Sequence, residues 1–227
     1  MRYMQNTVAA LAALGMALAA QQAAGQGYYA TPLASGFQPQ VMAGFSGTSG
    51  DAANYLQSGW IVDGGFIYWL PQGRGLGIRT DLSFSDHQAT NQFLSFGQEV
   101  TGQEVDDGWG SFSSASTGLV YQLPLAARAS LYGLAQIGIS HVHLRLVQTF
   151  FTPGYYCDPF FDYCDYPDVG TASVYSYNAN HLSWNVGIGV NFAGYWGQTW
   201  FIEAQYRRIE TSPRAFEYWP IMVGLRF

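Results

Sequence analysis

From Gln40 onward the chain alternates. Apolar side chains recur at every second position, the period of strands with one apolar face. Eight segments carry the pattern, near residues 40–48, 58–70, 75–86, 111–123, 130–145, 181–193, 199–209 and 220–227. In 75–86, Leu76, Ile78, Leu82 and Phe84 share a face with Thr80, while Gly77, Arg79, Asp81, Ser83 and Ser85 share the other. In 199–209, Trp200, Ile202, Ala204 and Tyr206 oppose Phe201, Glu203, Gln205 and Arg207. In 181–193, Trp184, Val186, Ile188, Val190 and Phe192 oppose Ser183, Asn185, Gly187, Gly189 and Asn191. In 58–70, Trp60, Val62, Phe66, Tyr68 and Leu70 oppose Asp63. The chain ends in the same way, with Ile221, Val223, Leu225 and Phe227 on one parity and Met222, Gly224 and Arg226 on the other.

The connections alternate as well. Short turns ("PQGRG", "PLAARA", "GYWGQ") follow the second, fourth and sixth segments, and longer polar stretches follow the others, the longest being about 146–180. A soluble β-sandwich has no reason to sort its loops by length onto one end. These features predict an all-β fold: an eight-stranded antiparallel up-and-down transmembrane β-barrel over 40–227, with short turns on one side and long loops on the other. Charges avoid the apolar parity because an arginine facing lipid at mid-membrane costs about 2–4 kcal/mol. Arg208 is the exception, placed at the end of its strand near the headgroups. Closure explains a chain that ends on an apolar strand, since a barrel leaves no sheet edge unpaired in hydrocarbon. Trp60, Trp69, Tyr121, Trp184, Phe192, Trp196, Trp200, Tyr206 and Trp219 fall near strand ends, where amphipathic rings prefer the headgroup zone.

Composition agrees. Of 227 residues 48% are apolar and only 11% charged, with no lysine and a net charge of −6. That balance argues against nucleic acid, which needs clustered cations. Residues 1–25 read as a signal peptide: Arg2, an apolar run from Thr7 to Ala20, and small residues for cleavage somewhere in 19–25. Residues 26–39 read as a flexible lead-in. The two cysteines, Cys157 and Cys164, read as a disulfide closing a small loop in an oxidising compartment.

Four groups of residues invite chemistry. Asp63, Arg79, Asp81, Glu203, Arg207 and Arg226 fall on the inward parity, three acids and three arginines. In a narrow interior they are expected to pair, Asp63 with Arg79 and Glu203 with Arg226, as a structural plug; a narrow pore for small or apolar solutes is the alternative. Ser85 and His87 share a face, which allows a hydroxyl–imidazole pair, with no third orienting group evident. His141, His143 and His181 lie near one rim and are weak metal candidates; no metal or other cofactor is expected. The stretch 146–180 holds Phe150, Phe151, Tyr155, Tyr156, Phe160, Phe161, Tyr163 and Tyr166 among Asp158, Asp162, Asp165 and Asp168. Rigid aromatics make good contact residues, so this is the candidate surface-binding loop for an extracellular protein or glycan. Its acids lack the ordered ligand spacing and glycine turn of a Ca²⁺ loop.

The segments "GLGIRTDLSFS", "LYGLAQIGIS", "WNVGIGVNF", "FIEAQYRRIE" and "IMVGLRF" resemble the small eight-stranded outer-membrane barrels of the OmpA-type and opacity-protein families. The resemblance covers about 40–227. It implies a bacterial outer-membrane protein in contact with lipid, with a structural or adhesin-like role. It also implies that Val223, Leu225 and Phe227 are read by the barrel-insertion machinery. Barrel enzymes that modify lipid A are of similar size and use a His–Ser pair. Here the order Ser85–His87 is reversed, which makes that the less expected alternative. No cell-wall-binding domain is expected after the barrel, and the loop at 146–180 is longer, more acidic and more aromatic than the resemblance implies.

Overall fold

The computed structural model describes residues 36–71, 74–126, 128–151, 156–158, 163–165, 169–194, 197–212 and 215–227. Eight strands close into a ring: β1 (Gly36–Ser49), β2 (Gly59–Trp69), β3 (Leu76–Gln88), β4 (Asp107–Ala126), β5 (Ala129–Phe151), β8 (Val169–Ala193), β9 (Thr199–Ile209) and β10 (Phe216–Arg226). Two three-residue strands, β6 (Tyr156–Asp158) and β7 (Tyr163–Asp165), pair with each other outside the ring. Every neighbour in the ring is antiparallel, and β10 returns to β1 to close it.

Register fixes the barrel's shape. Register partners followed once around the ring lead from Pro39 through Phe66, Thr80, Thr117, Ile137, Trp184, Arg208 and Glu217 to Ser49, ten residues further along β1. That stagger with eight strands gives a strand tilt of roughly 40° and an interior just wide enough for side chains to fill.

The parity read from the sequence holds. Leu82, Ile188, Ile202, Ile221 and Val223 face outward and are exposed. Asp63, Arg79, Asp81, Glu203, Arg207 and Arg226 face inward and are buried. Trp69 is a correction: it sits on the inward parity, 2% exposed, and its Nε1 donates to Gln38 Oε1 at 2.7 Å. It closes the short-turn end of the lumen and takes no part in the outer ring of aromatics. Trp196 lies outside the described residues.

Three elements differ from the period-two reading. β1 begins at Gly36, inside the stretch read as lead-in, because Gly36 through Pro39 pair with β2. β5 and β8 run on to Phe151 and back from Val169, so the span from 146 to 180 is mostly strand and the connection shrinks to 152–168. Polar and apolar residues alternate on this stretch without a lipid face, so the apolar signal fades although the hydrogen bonding continues. Finally, the β3–β4 connection holds a helix, α2 (Asn91–Thr101), facing the one-turn α1 (Ala52–Tyr55) of the β1–β2 connection. Thr90 caps α2 by accepting from the Phe93 N–H at 3.2 Å, and Gly102 ends it at φ 67°, a left-handed conformation that suits glycine.

The two long connections lock together over the mouth. Gln57 N donates to Gln88 O at 2.8 Å and Thr90 N to Tyr55 O at 2.9 Å, around a bridge between Leu56 and Ala89. Leu56, Ala89, Phe93, Val105 and Leu146 form a small apolar core there, separate in character from the polar lumen below.

Candidate functional site: lumen, rim and arm

The inward residues of β3 step up the lumen as Gly77, Arg79, Asp81, Ser83, Ser85 and His87, and each meets a different layer. Arg79 is wholly buried. Its Nε donates to Asp81 Oδ2 at 2.6 Å and its Nη2 to Glu203 Oε1 at 3.1 Å, with Nη1 on Glu203 Oε2. Glu203 also accepts from the Tyr132 hydroxyl at 2.6 Å and from Gln205 Nε2. Asp81 accepts from Gln40 at 2.8 Å and from Gln136 at 2.9 Å. One layer higher, Arg207 donates to Asp63 Oδ2 at 2.6 Å and to Ser83 Oγ at 2.7 Å. Arg226, at the short-turn end, donates to Gln40 Oε1 and Asn191 Oδ1, each at 3.1 Å. Its guanidinium lies over the rings of Phe201 and Tyr132, 4.8 and 5.3 Å from their centroids.

The six charges are therefore brought together, but not in the expected pairs. Asp63 and Arg79 are on adjacent strands, yet Asp63 is registered to Ser83 and Arg79 to Ile67. Glu203 is registered to Met222, and Arg226 to Thr199. In so narrow a lumen the shortest route is across the barrel, so Arg79 on β3 meets Glu203 on β9, and Arg207 on β9 meets Asp63 on β2. The pattern of charges alone does not point to the network's uncharged members, Gln40, Tyr132, Gln136, Asn191 and Gln205. Their signal was present: each is a polar residue on the inward parity.

Room for these side chains comes from inward glycines. A Cβ on Gly189 would lie 2.4 Å from the Tyr132 ring, and one on Gly224 would lie 2.3 Å from Phe201. Above the charged layers a small cavity of about 10 Å³ is lined by Ser114, Ser116, Ser140, Ser183, Asn185 and Arg207, enough for about one water. Asn185 Oδ1 has no protein partner. Higher still, Phe112 packs on Phe216 (4.5 Å between centroids) and on Tyr218 (6.0 Å).

Ser85 and His87 are both buried in this upper layer. They do not bond to each other. His87 Nδ1 lies 2.9 Å from Gln57 O, its Nε2 and Ser85 Oγ have no protein partner, and the ring is held edge-on to Phe112 at 5.4 Å. The three rim histidines do not converge either. His181 is registered to Ser140 and shares its inward face, whereas His141 and His143 point outward. Among the described residues no three His, Cys, Asp or Glu side chains gather as a metal cluster.

On the outer face at the same level, Trp184, Tyr206 and Trp219 touch in sequence at 5.4 and 4.8 Å. Arg208, the exception to the charge pattern, is held there by Glu210 at 2.8 Å and Glu217 at 3.0 Å, and Trp184 Nε1 donates to Glu210 at 3.1 Å. Beyond the rim β5 and β8 continue, with β4 on the other side of β5 as far as Val147 and as a two-stranded arm from there on. Among the described residues, β8 from Val169 to His181 pairs with β5 alone; Leu182 O accepts from Glu210 N at 2.9 Å, and the ladder with β9 begins at Ser183. In the hairpin beyond, the register sets the Cα of Cys157 opposite that of Cys164. Tyr156 and Tyr163 are on this hairpin's backbone, Phe150 and Phe151 end β5, and Tyr155, Phe160, Phe161 and Tyr166 lie outside the described residues.

A closed antiparallel ring with an apolar outer face, a filled polar lumen and long loops on one end is an integral outer-membrane β-barrel, with its short turns periplasmic and its long loops extracellular. The chain belongs to the outer membrane protein beta-barrel domain family, whose model matches residues 7–227. Among solved structures it is similar to Neisserial surface protein A, with 12% identity and a TM-score of 0.51, covering 85% of this chain and 96% of that one. It is also similar to a major outer membrane protein from Thermus thermophilus, with 14% identity and a TM-score of 0.48 over 84% of this chain and 98% of that one. A third is Ail, the attachment invasion locus protein of Yersinia pestis, with 14% identity and a TM-score of 0.44 over 85% and 99%. No curated protein sequence matches the chain. At these identities the likeness to solved structures is one of fold.

Proposed function

We propose that this barrel is an anchor for surface interaction, and that the β5–β8 arm is its contact element. One observation carries the reading: among the described residues, β8 from Val169 to His181 presents an edge with no strand partner beyond the rim. This stretch has no charge and no proline, the usual defences of an exposed edge. Such an edge accepts an extended strand of a partner protein through main-chain hydrogen bonds. The aromatic, acidic tip at 152–168 supplies side-chain contacts, and a Cys157–Cys164 disulfide holds it closed. The directly opposed register supports that bond.

The lumen acts as a plug. Arg79, Asp81, Glu203 and Tyr132 fill its middle, and the aromatic layer and loop cap sit above them. Export begins with a signal peptide in residues 1–25, and the terminal strand, with Val223, Leu225 and Phe227 outward, is the segment read by the insertion machinery.

The test is adhesion. Cells displaying the protein should adhere to protein- or glycan-coated surfaces more than cells without it. Replacing 152–168 by a short turn, or placing lysines at Ser173 and Ser176, should remove the gain while the barrel still folds. Equal adhesion with and without the protein would reject the reading.

A further inference from the structure

The outer surface of β5 and β8, just above the apolar band, carries a small ordered polar array. His141 and His143 are two residues apart on β5 and share a face. Each stands opposite an asparagine of β8, His141 with Asn180 and His143 with Asn178. His141 Nδ1 lies 2.9 Å from Asn180 Oδ1, and His143 Nδ1 is bonded to Asn178 Oδ1. An amide oxygen only accepts, so in the neutral ring each Nδ1 carries the hydrogen and each Nε2 keeps its lone pair. Two imidazoles on the outer face of the sheet are thus held in one tautomer, with Nε2 as the acceptor nitrogen of each ring.

Metal-binding histidines show this arrangement: one ring nitrogen on the ion, the other N–H given to an oxygen that fixes ring orientation. Same-face neighbours on a strand are about 6.6 Å apart, which two imidazole arms can bridge to a shared ion. The preceding outward residue on β5 is Ile139, 61% exposed, so the pair sits at the upper edge of the lipid-facing band. Ser111 and Ser113 flank it on β4. The next outward residue, Arg145, lies over the Trp109 ring, 5.4 Å from its centroid.

We propose that His141 and His143 form a surface site for a divalent transition ion, Cu²⁺ above the others, with Asn180 and Asn178 as positioning residues. Nitrogen donors disfavour Ca²⁺ and Mg²⁺, which take oxygen ligands. Two protein ligands fall short of a closed tetrahedral zinc site, whereas Cu²⁺ heads the affinity order for nitrogen ligands and completes its plane with water or anionic oxygen. His181 takes no part, because it faces inward and bonds to the Tyr177 hydroxyl at 3.0 Å.

The experiment is titration of the folded full-length protein in detergent micelles with Cu²⁺ and, separately, Zn²⁺. The readouts are calorimetry and the nitrogen hyperfine pattern in the Cu²⁺ electron-spin resonance spectrum. We expect one tight Cu²⁺ with two imidazole nitrogens, and Zn²⁺ weaker by at least tenfold. His141→Asn and His143→Asn should each weaken Cu²⁺ by at least about tenfold. Asn178→Ala with Asn180→Ala should cost about tenfold or more, as removal of such supporting partners does. Arg145→Gln should tighten binding, and His181→Asn should leave it unchanged. Heat-dependent gel migration confirms that each variant is folded. The proposal is overturned if the wild type shows no imidazole-bound Cu²⁺. It is equally overturned if the His141→Asn, His143→Asn double variant binds as tightly, or if His181→Asn removes binding.

Discussion

Arg79 has no exposed surface and faces two carboxylates, so its charge is tied to Asp81 and Glu203 more tightly than to any solvent. Arg79→Met leaves those two acids buried together, and breaking such a pair costs about 3–5 kcal/mol. Urea unfolding of the micelle-bound barrel measures it. Arg79→Met combined with Glu203→Gln should lose less than the two single losses summed; strict additivity would show that the pair is not coupled. Gly189→Ala drives a Cβ into the Tyr132 ring and should cost about 1–3 kcal/mol. Gly64→Ala on the neighbouring parity meets nothing within 4 Å and should be close to neutral. At the rim, hydrogen bonds from Arg208 and Trp184 hold the Glu210 carboxyl below its usual range. The rim contact is therefore complete at neutral pH and is lost as pH falls through that lowered value. A carbon-13 titration of Glu210 with a midpoint at or above that of a free glutamate would contradict this.

Among the elements, α2 is the one that strand periodicity hides. Its cap at Thr90 and its stop at Gly102 are ordinary helix signals, and Phe93 and Gly97 form its buried face. The segment between β3 and β4 looks like a polar loop when only alternation is followed. Thr90→Ala removes the cap and the hydroxyl's bond to Asn54 O, and should destabilise the helix by about 1 kcal/mol. Faster amide exchange across 91–101, with barrel strands unchanged, is the expected result. β5 and β8 show the opposite difficulty. Their lower parts follow the membrane pattern and are legible. Their upper parts leave the lipid, lose the one-sided apolar face and are defined by pairing with each other.

For the whole molecule, the filled lumen predicts no steady single-channel conductance from purified protein in planar bilayers. A stable conductance would mean that the charged layers open. Closure by β1 and β10 predicts a barrel that resists SDS and shifts on a gel only after boiling. Phe227→Ala should reduce the folded fraction in the outer membrane if the terminal strand is the insertion signal; an unchanged fraction would remove that role from Phe227.

The alternation of Leu76 through Ser85 and of Trp200 through Arg207 determined which side chains face lipid and which face inward, because strand geometry places successive residues on opposite faces whatever the neighbours are. The eight strands of the ring and the closing role of its last strand followed from the same local rule. Partner choice did not. That Arg79 meets Glu203 and that Arg207 meets Asp63 depend on a stagger of ten residues around the ring. Stagger is a property of closure, summed over eight strand pairs, so no single segment encodes it. Only the closed barrel decides which inward residues share a layer.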